Sequence, residues 1–138
     1  MKPSTSPTAL PIGINGLKIR KGALSYTNTG LSTFFRIPIN TDGSAAGAAV
    51  AVATNITSID DFVLDARGDA FIAQNRPVSS LGMLARGAVA VTPLAPIVGA
   101  TAVQFGRLPG DRRSVYVTSF GDATAGGRVT RVHVGVRA

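Results

Sequence analysis

Three stretches of this 138-residue sequence begin with the same short strand-like pattern and follow one another at intervals of 45 and 41 residues. They start at Asn15, Asp60 and Thr101, and a turn and a second strand-like run follow each start. A repeat of about 40–50 residues that carries several short strands is typical of a β-propeller blade. One blade cannot bury both of its faces alone, so consecutive blades must pack on each other. The repeat therefore predicts an all-β chain of stacked, antiparallel blades.

The predicted blades lie at about residues 14–55, 60–92 and 101–134, within a partial propeller domain at 14–138. Residues 1–13 are rich in Pro, Ser and Thr and are interpreted as a linker or loop. The third blade has no sequence left for an outer strand. Closed rings use about four to eight blades, so three blades predict half of a propeller that is open on two sides.

The outer strands of the first two blades are predicted from alternating small and apolar residues. The first lies at residues 48–54 and the second at residues 88–92. Pro93 and Pro96 are assigned to the connecting loop that follows, because proline cannot donate to a strand ladder.

The composition excludes several classes of function. There is no Cys and only one His, so thiolate chemistry and a transition-metal site are not expected. No apolar run is long enough to span a membrane, and residues 1–14 lack the apolar core of a secretory signal. The net charge is +7, but the cations are scattered, and the densest groups, at 18–21 and 112–113, are interpreted as solvated charge at strand ends or turns. We therefore expect neither a nucleic-acid nor a membrane partner.

Polar residues recur where the predicted blades would share one face. The loops that enter the innermost strands and those that leave the second strands lie on the same side of a propeller. Seven polar residues are thus predicted around one channel mouth: Asn15, Asn28, Asp60, Gln74, Asn75, Thr101 and Ser119. The functional interpretation is half of a pocket for a small-molecule ligand. The alternative is that these side chains cap turns through bonds to the backbone.

Several motifs resemble the gluconolactonase/regucalcin-like superfamily of six-bladed propellers, in particular its fungal members. They are LPIGINGLKI at 10–19, YTNT at 26–29, FRIPI at 35–39, DGS at 42–44, DFVLD at 61–65 and QFGR at 104–107. The resemblance covers residues 9–134, and it corresponds to the C-terminal half of a family member. It implies half of a six-bladed ring, about blades four to six, from relatives that are secreted at full length.

The resemblance also implies a chemistry. One branch of the family hydrolyses lactones with a divalent metal, often Ca²⁺, at the channel mouth, and some fungal relatives guide cyclisations in a shaped pocket. By motif, Asn15 and Asp60 correspond to two of the metal ligands, and Asp60 is also the candidate catalytic residue. Asp61 replaces the usual Gly of the pattern and is the alternative in this register. The other ligands would belong to the missing half, so the metal site is incomplete.

Two functions from different classes remain. The first is a fragment of a lactone-hydrolysing or cyclising enzyme, which is expected to be inactive alone. The second is a non-catalytic binding module or a truncated gene product. The open sides predict a partner in either case, which would be a second copy of the chain or the missing N-terminal half.

Overall fold

The computed structural model of the protein describes residues 12–121 and 124–136. These residues form eleven strands and no helix. The strands are β1 Ile14–Arg20, β2 Ala23–Asn28, β3 Thr33–Pro38, β4 Val50–Ala53, β5 Ile59–Leu64, β6 Ala70–Gln74, β7 Ser80–Leu84, β8 Thr92–Pro96, β9 Ala100–Phe105, β10 Ser114–Ser119 and β11 Arg128–His133. The described part therefore also contains no helix with the length and hydropathy of a membrane span.

The strands form three separate antiparallel sheets in chain order. The first has the order β1-β2-β3-β4, the second β5-β6-β7-β8, and the third β9-β10-β11. Each sheet is a simple meander, and β5 contacts both β1 and β9. This confirms the predicted fold of three blades. Within the described residues, the third blade has no fourth strand.

Two hydrophobic cores hold the sheets together, one between each pair of neighbours. Successive side chains of a strand point to opposite faces, so Phe62 of β5 faces the first sheet while Val63 faces the third. Phe62 packs edge-on against Phe34 of β3, with ring centroids 4.8 Å apart. Phe71 of β6 meets Phe105 of β9 in the same way at 5.4 Å. Such aromatic pairs stabilise the fold by about 0.5–1.5 kcal/mol each beyond their area burial.

The second sheet is enclosed on both faces, and its sequence reflects this. All five residues of β6 (AFIAQ) are buried, because one face packs on each neighbouring sheet. At the edge of the third sheet, by contrast, β11 (RVTRVH) has no buried residue. A continuous apolar run and a polar alternation therefore mark a central and a peripheral strand.

The outer strand of the second blade differs from the prediction at residues 88–92. The Ala88 N–H donates to Ala85 O at 2.9 Å, so a turn continues to Ala88. The chain joins β7 only from Thr92, as β8, in which Pro93 pairs with Gly82 and Pro96 with Ser80. The assignment of both prolines to a loop is wrong, because β8 is an edge strand and needs ladder bonds on one side only.

The ends of the innermost strands define two ends of the molecule. We call the end where β1, β5 and β9 begin the mouth end, and the end where they finish the far end. Residues 1–11 of the predicted linker lie outside the described residues. Its last two residues extend the first sheet at the mouth end, where Ile12 O accepts from Gly30 N at 2.9 Å and Gly13 O from Thr29 N at 3.1 Å.

Candidate functional site

Each innermost strand carries an irregularity at the same place near the mouth end. The register shifts between Ile14 and Leu17 in β1 and between Ile59 and Phe62 in β5. In both cases the innermost strand advances three residues while its partner advances two, so it contains one extra residue. The same extra residue occurs in β9 at Thr101. These are β-bulges, which bend a strand and redirect a side chain. The bulges lie at the three positions that begin the sequence repeat.

The first two bulges bring four polar side chains together, which we call the mouth cluster: Asn15, Thr29, Asp60 and Asn75. Asn15 Nδ2 donates to Asp60 Oδ1 at 2.6 Å, and Asn75 Nδ2 donates to Asp60 Oδ2 at 3.3 Å. Asn15 Nδ2 also lies 3.2 Å from Thr29 Oγ1. Thr29 Oγ1 in turn donates to Ile59 O at 2.8 Å. Asp60 is therefore the acceptor at the centre of a network that joins the first two sheets.

The surroundings of Asp60 favour its protonated form. Partial burial of the carboxyl raises its pKa above the ordinary value, and the neighbouring charge of Asp61 acts in the same direction. The hydrogen bonds from Asn75 and Asn15 lower the pKa, but each of them has a smaller effect than burial. A carboxylate with a raised pKa is a stronger proton acceptor than an exposed one.

The two adjacent carboxylates have separate roles. Asp61 Oδ1 forms an ion pair with Lys18 Nζ at 2.8 Å, and both side chains are partly buried between the first two sheets. Asp60, and not Asp61, lies beside Asn15. Interpreting residues 18–21 as solvated charge is wrong for Lys18, because this residue lies inside β1 and faces the second sheet.

One buried residue of this region was not predicted from the sequence. Thr27 of β2 is fully buried, and its Oγ1 accepts from Gly16 N at 2.8 Å while donating to Asp60 O. It thereby links the bulges of β1 and β5. The signal available in the sequence was a Thr at the position where β6 has Ala73, since a buried hydroxyl needs partners that an apolar residue does not.

The other predicted pocket residues do not join the mouth cluster. Asn28 and Gln74 are buried and bond to the backbone, with Asn28 Oδ1 accepting from Leu31 N at 3.0 Å and Gln74 Nε2 donating to Thr57 O at 2.9 Å. The contacts of Asn28 and Gln74 therefore fit the alternative interpretation, in which these side chains stabilise turns through bonds to the backbone. Thr101 Oγ1 bonds within its own sheet, 3.0 Å from the Thr118 hydroxyl. Ser119 is half-buried at the end of β10 and borders a cavity of about 330 Å³ beside the third sheet.

The mouth cluster offers only part of a hard-metal site. Ca²⁺ takes about six to eight oxygen ligands, and the described residues contain no group of three His, Cys, Asp or Glu that could hold a metal ion. Asp60 supplies a carboxylate. Asn15 supplies an amide oxygen if its side chain turns over, since its Nδ2 now faces Asp60. The chemistry of these donors suits Ca²⁺, but their number does not complete a site.

Comparison with solved structures identifies the architecture. A luciferin-regenerating enzyme superimposes with a TM-score of 0.75 at 19% identity, covering 92% of this chain and 47% of that protein. The calcium-binding protein regucalcin from Agrobacterium tumefaciens gives 0.70 at 18% identity, covering 92% and 48%. The fold is that of half a regucalcin-type propeller. Virginiamycin B lyase from Staphylococcus aureus is a more distant match, with a TM-score of 0.53 at 14% identity and 41% of its length covered.

The half-propeller thus spans about half the length of the solved proteins it matches. No protein-family model and no curated protein matches the sequence. At these identities the likeness concerns the fold, and it agrees with the resemblance to gluconolactonase/regucalcin-like propellers in the sequence motifs. It does not favour the alternative of a non-catalytic propeller binding module or a truncated gene product.

Proposed function

We propose that this chain supplies half of the ligand pocket of a gluconolactonase/regucalcin-type propeller, and that the mouth cluster is its share of the active site. The observation that carries the proposal is the 2.6 Å contact between Asn15 and Asp60, which begin successive blades 45 residues apart. Polar side chains that converge from separate sheets on one partly buried carboxylate are typical of a site rather than of a turn. Asp60 accepts from two different elements and caps no local turn.

Of the two activities that the resemblance implies, lactone hydrolysis is the one for which the cluster offers a reacting group. The pKa of the Asp60 carboxyl is raised by burial, which suits it to accept a proton from water as that water adds to a lactone carbonyl. The ring C–O bond then breaks, and the alkoxide leaving group takes up a proton. A divalent cation held by Asp60 and Asn15 would polarise the carbonyl, and its charge would lower the pKa of the Asp60 carboxyl again. A cyclisation guided by pocket shape would need no such carboxylate.

The cluster is half of a site, so the isolated chain should bind Ca²⁺ weakly and hydrolyse lactones little or not at all. Two side-chain ligands with water predict a dissociation constant of about 10⁻³ M or weaker. We expect no lactone turnover above background in a pH-stat assay, with or without added CaCl₂. Efficient hydrolysis by the purified monomer would contradict the proposal, because it would mean that half a site is sufficient.

The cation test is a two-dimensional NMR titration with CaCl₂ that follows the side-chain amide signals of Asn15 and Asn75. We expect both to shift together, and the shifts to be lost in Asp60→Asn. Asp42→Asn is the matched control, since it removes the same charge from an exposed turn where Asp42 bonds to Ser44. If Asp60→Asn and Asp42→Asn weaken the shifts equally, the response to Ca²⁺ depends on the net charge of the chain, and the mouth cluster is not the binding site.

A further inference from the structure

A cleft of about 400 Å³ lies between the first two sheets at the far end, away from the mouth cluster. Its walls include the end of β1, the turn after β5 and the turn after β7. A volume of this size lies within the range of small-molecule sites. It is set apart from the mouth cluster by the Lys18–Asp61 ion pair, which spans the two sheets midway along β1 and β5.

Among the described residues, five basic side chains line the cleft and no acidic side chain does. They are Arg20, Lys21, Arg36, Arg67 and Arg86. Within the part of the chain that the structure describes, none of them forms an ion pair, and the only such pair there joins Lys18 to Asp61. Five like charges around one concave surface repel each other and generate a positive potential that an anion would relieve.

Arg20 is the most constrained of these cations. Its Nη2 donates to Ala66 O at 3.0 Å, which fixes the guanidinium across the gap between the sheets. Its Nη1 is buried and has no hydrogen-bond partner among the described residues. A buried donor without a partner costs free energy, and a guanidinium that turned Nη1 toward the cleft could donate it to a carboxylate or phosphate.

The two carboxylates in and beside the turn after β5 bond to backbone N–H groups. Asp65 is fully buried, and its Oδ1 accepts from the backbone N–H groups of Arg67, Gly68 and Asp69 within the turn after β5. Asp69 Oδ1 accepts from the backbone N–H of Arg86 at 2.7 Å. Both carboxylates stabilise turns, so they position Arg67 and Arg86 at the rim without neutralising their side chains.

The floor of the cleft is apolar. Phe34, Val52, Leu64 and Leu84 line it together with small residues of β2 and β6. An inorganic anion would contact the rim only and leave this surface in water. A molecule that combines a small apolar body with one anionic group would use both parts, because apolar burial stabilises it by about 25 cal/mol per Å² and the cations fix its charged end.

We propose that the far-end cleft binds an amphipathic organic anion, whose carboxylate or phosphate lies against Arg20 and Arg67 and whose apolar body packs on Phe34 and Leu84. This site is separate from the mouth cluster and does not depend on its proposed role. It is complete within the first two sheets, so it needs no further blades.

The test uses the whole chain with octanoate and phenyl phosphate as probes and octanol as the neutral control. Binding is followed by NMR shifts of the leucine and valine methyl groups. We expect both anions to shift the methyl signals of Leu84, Leu64 and Val52, and octanol to bind at least about tenfold more weakly, since it lacks the charged hydrogen bonds. Arg20→Gln and, separately, the exposed Arg67→Gln should each weaken anion binding about tenfold.

Arg107→Gln is the matched control, because Arg107 is exposed in the loop after β9, outside the cleft, and carries the same charge. Equal weakening by Arg107→Gln and Arg67→Gln would overturn the proposal in favour of a general charge effect. Octanol that binds as well as octanoate would overturn it too, as would an absence of methyl shifts with both anions at millimolar concentration. If Arg20→Gln does not fold, Arg67→Gln alone decides the outcome.

Discussion

Asp60 and Asp61 are neighbours in the chain, yet their carboxylates have different partners. The bulge in β5 turns Asp60 toward Asn15 and Asn75, while Asp61 pairs with Lys18 between the sheets. Gly16 permits this arrangement, because Asp61 lies against it where any side chain would collide. Of the two carboxylates, only that of Asp60 belongs to the mouth cluster.

The raised pKa of Asp60 predicts how stability depends on pH. Its folded-state pKa lies above its ordinary value of 3.8, so between those two values the folded chain binds more protons than the unfolded chain. The contribution of Asp60 to the free energy of unfolding must then fall as the pH rises through that window. Urea unfolding of the wild type and Asp60→Asn from about pH 3 to 7 should show a difference that decreases with pH.

Asp42 provides a control of opposite sign. Hydrogen bonds from the Ser44 hydroxyl and backbone lower the pKa of its carboxyl. The folded chain therefore binds fewer protons there, and its stabilising effect is lost as the pH falls. The difference between the wild type and Asp42→Asn should increase with pH. If both differences increase with pH, the folded-state pKa of Asp60 is lowered and not raised, and its hydrogen bonds outweigh its burial.

Sequence reasoning reached Asn15 and Asp60 because they occupy equivalent positions in a repeat, and the bulges explain why those positions converge. It did not reach Thr27 or Thr29. Their partners, Asp60 O and Ile59 O, are backbone atoms of another sheet. Every residue has such a carbonyl oxygen, so the amino-acid types at positions 59 and 60 do not indicate these hydrogen bonds. A hydrogen bond between sheets depends on how the blades pack, which one strand pattern does not specify.

Among the elements, the innermost and second strands were the most predictable. Their apolar runs are buried against a neighbouring sheet, and burial imposes a strong pattern on β6 and β10. The outer strands were less predictable, because most residues of β4 and β8 are exposed and burial imposes little hydrophobic pattern on them. Two prolines in β8 even argued against a strand. An edge strand pairs with a neighbour on one side only, so its sequence is less constrained than that of a central strand.

The bulge of β1 can be tested at Gly16. A Cβ at this position would lie 2.9 Å from Asp61 Cα and 3.2 Å from Thr27 Oγ1, so β1 and β5 would have to move apart. Gly16→Ala should lower the free energy of unfolding by about 1–3 kcal/mol, as measured by urea denaturation. The NMR signals of the Asn15 side-chain amide should change as well, because its contact with Asp60 depends on the same approach.

Gly13→Ala is the control for this substitution. A Cβ on Gly13 would meet no atom of the described residues within 4 Å, and the φ of Gly13 is not positive. We expect a change within about 0.5 kcal/mol. Equal losses for Gly13→Ala and Gly16→Ala would show that the loss in Gly16→Ala does not come from its close approach to β5.

At the scale of the whole molecule, the half-propeller has one well-enclosed sheet and two sheets with a free face. Lys18 and Arg20 point toward the second sheet, so Leu17 and Ile19 of β1 point away from it, and they are 47% and 64% exposed. In the matched proteins, which are about twice as long, more chain is available beyond such a face. We propose that further blades cover it, from a second copy or from an N-terminal half.

Two copies related by a two-fold axis would bring two Asn15–Asp60 pairs to one channel and provide six blades. Closed cyclic symmetry is the commonest arrangement of homo-oligomers. Exposed apolar residues on a sheet face are association sites, so the isolated chain should self-associate, whichever partner completes it in nature. Replacing Leu17 and Ile19 by Gln should reduce that association, whereas Val89→Gln, at a loop residue that is 73% exposed, should not.

The most direct test of the half-propeller is sedimentation velocity of the purified chain over a dilution series, with light scattering to give the mass. We expect a mass above that of the monomer at micromolar concentration, and we expect this mass to fall on dilution and in the Leu17→Gln/Ile19→Gln variant. A monomer that persists at every concentration and unfolds cooperatively would contradict it, because three blades would then be stable with their outer faces uncovered.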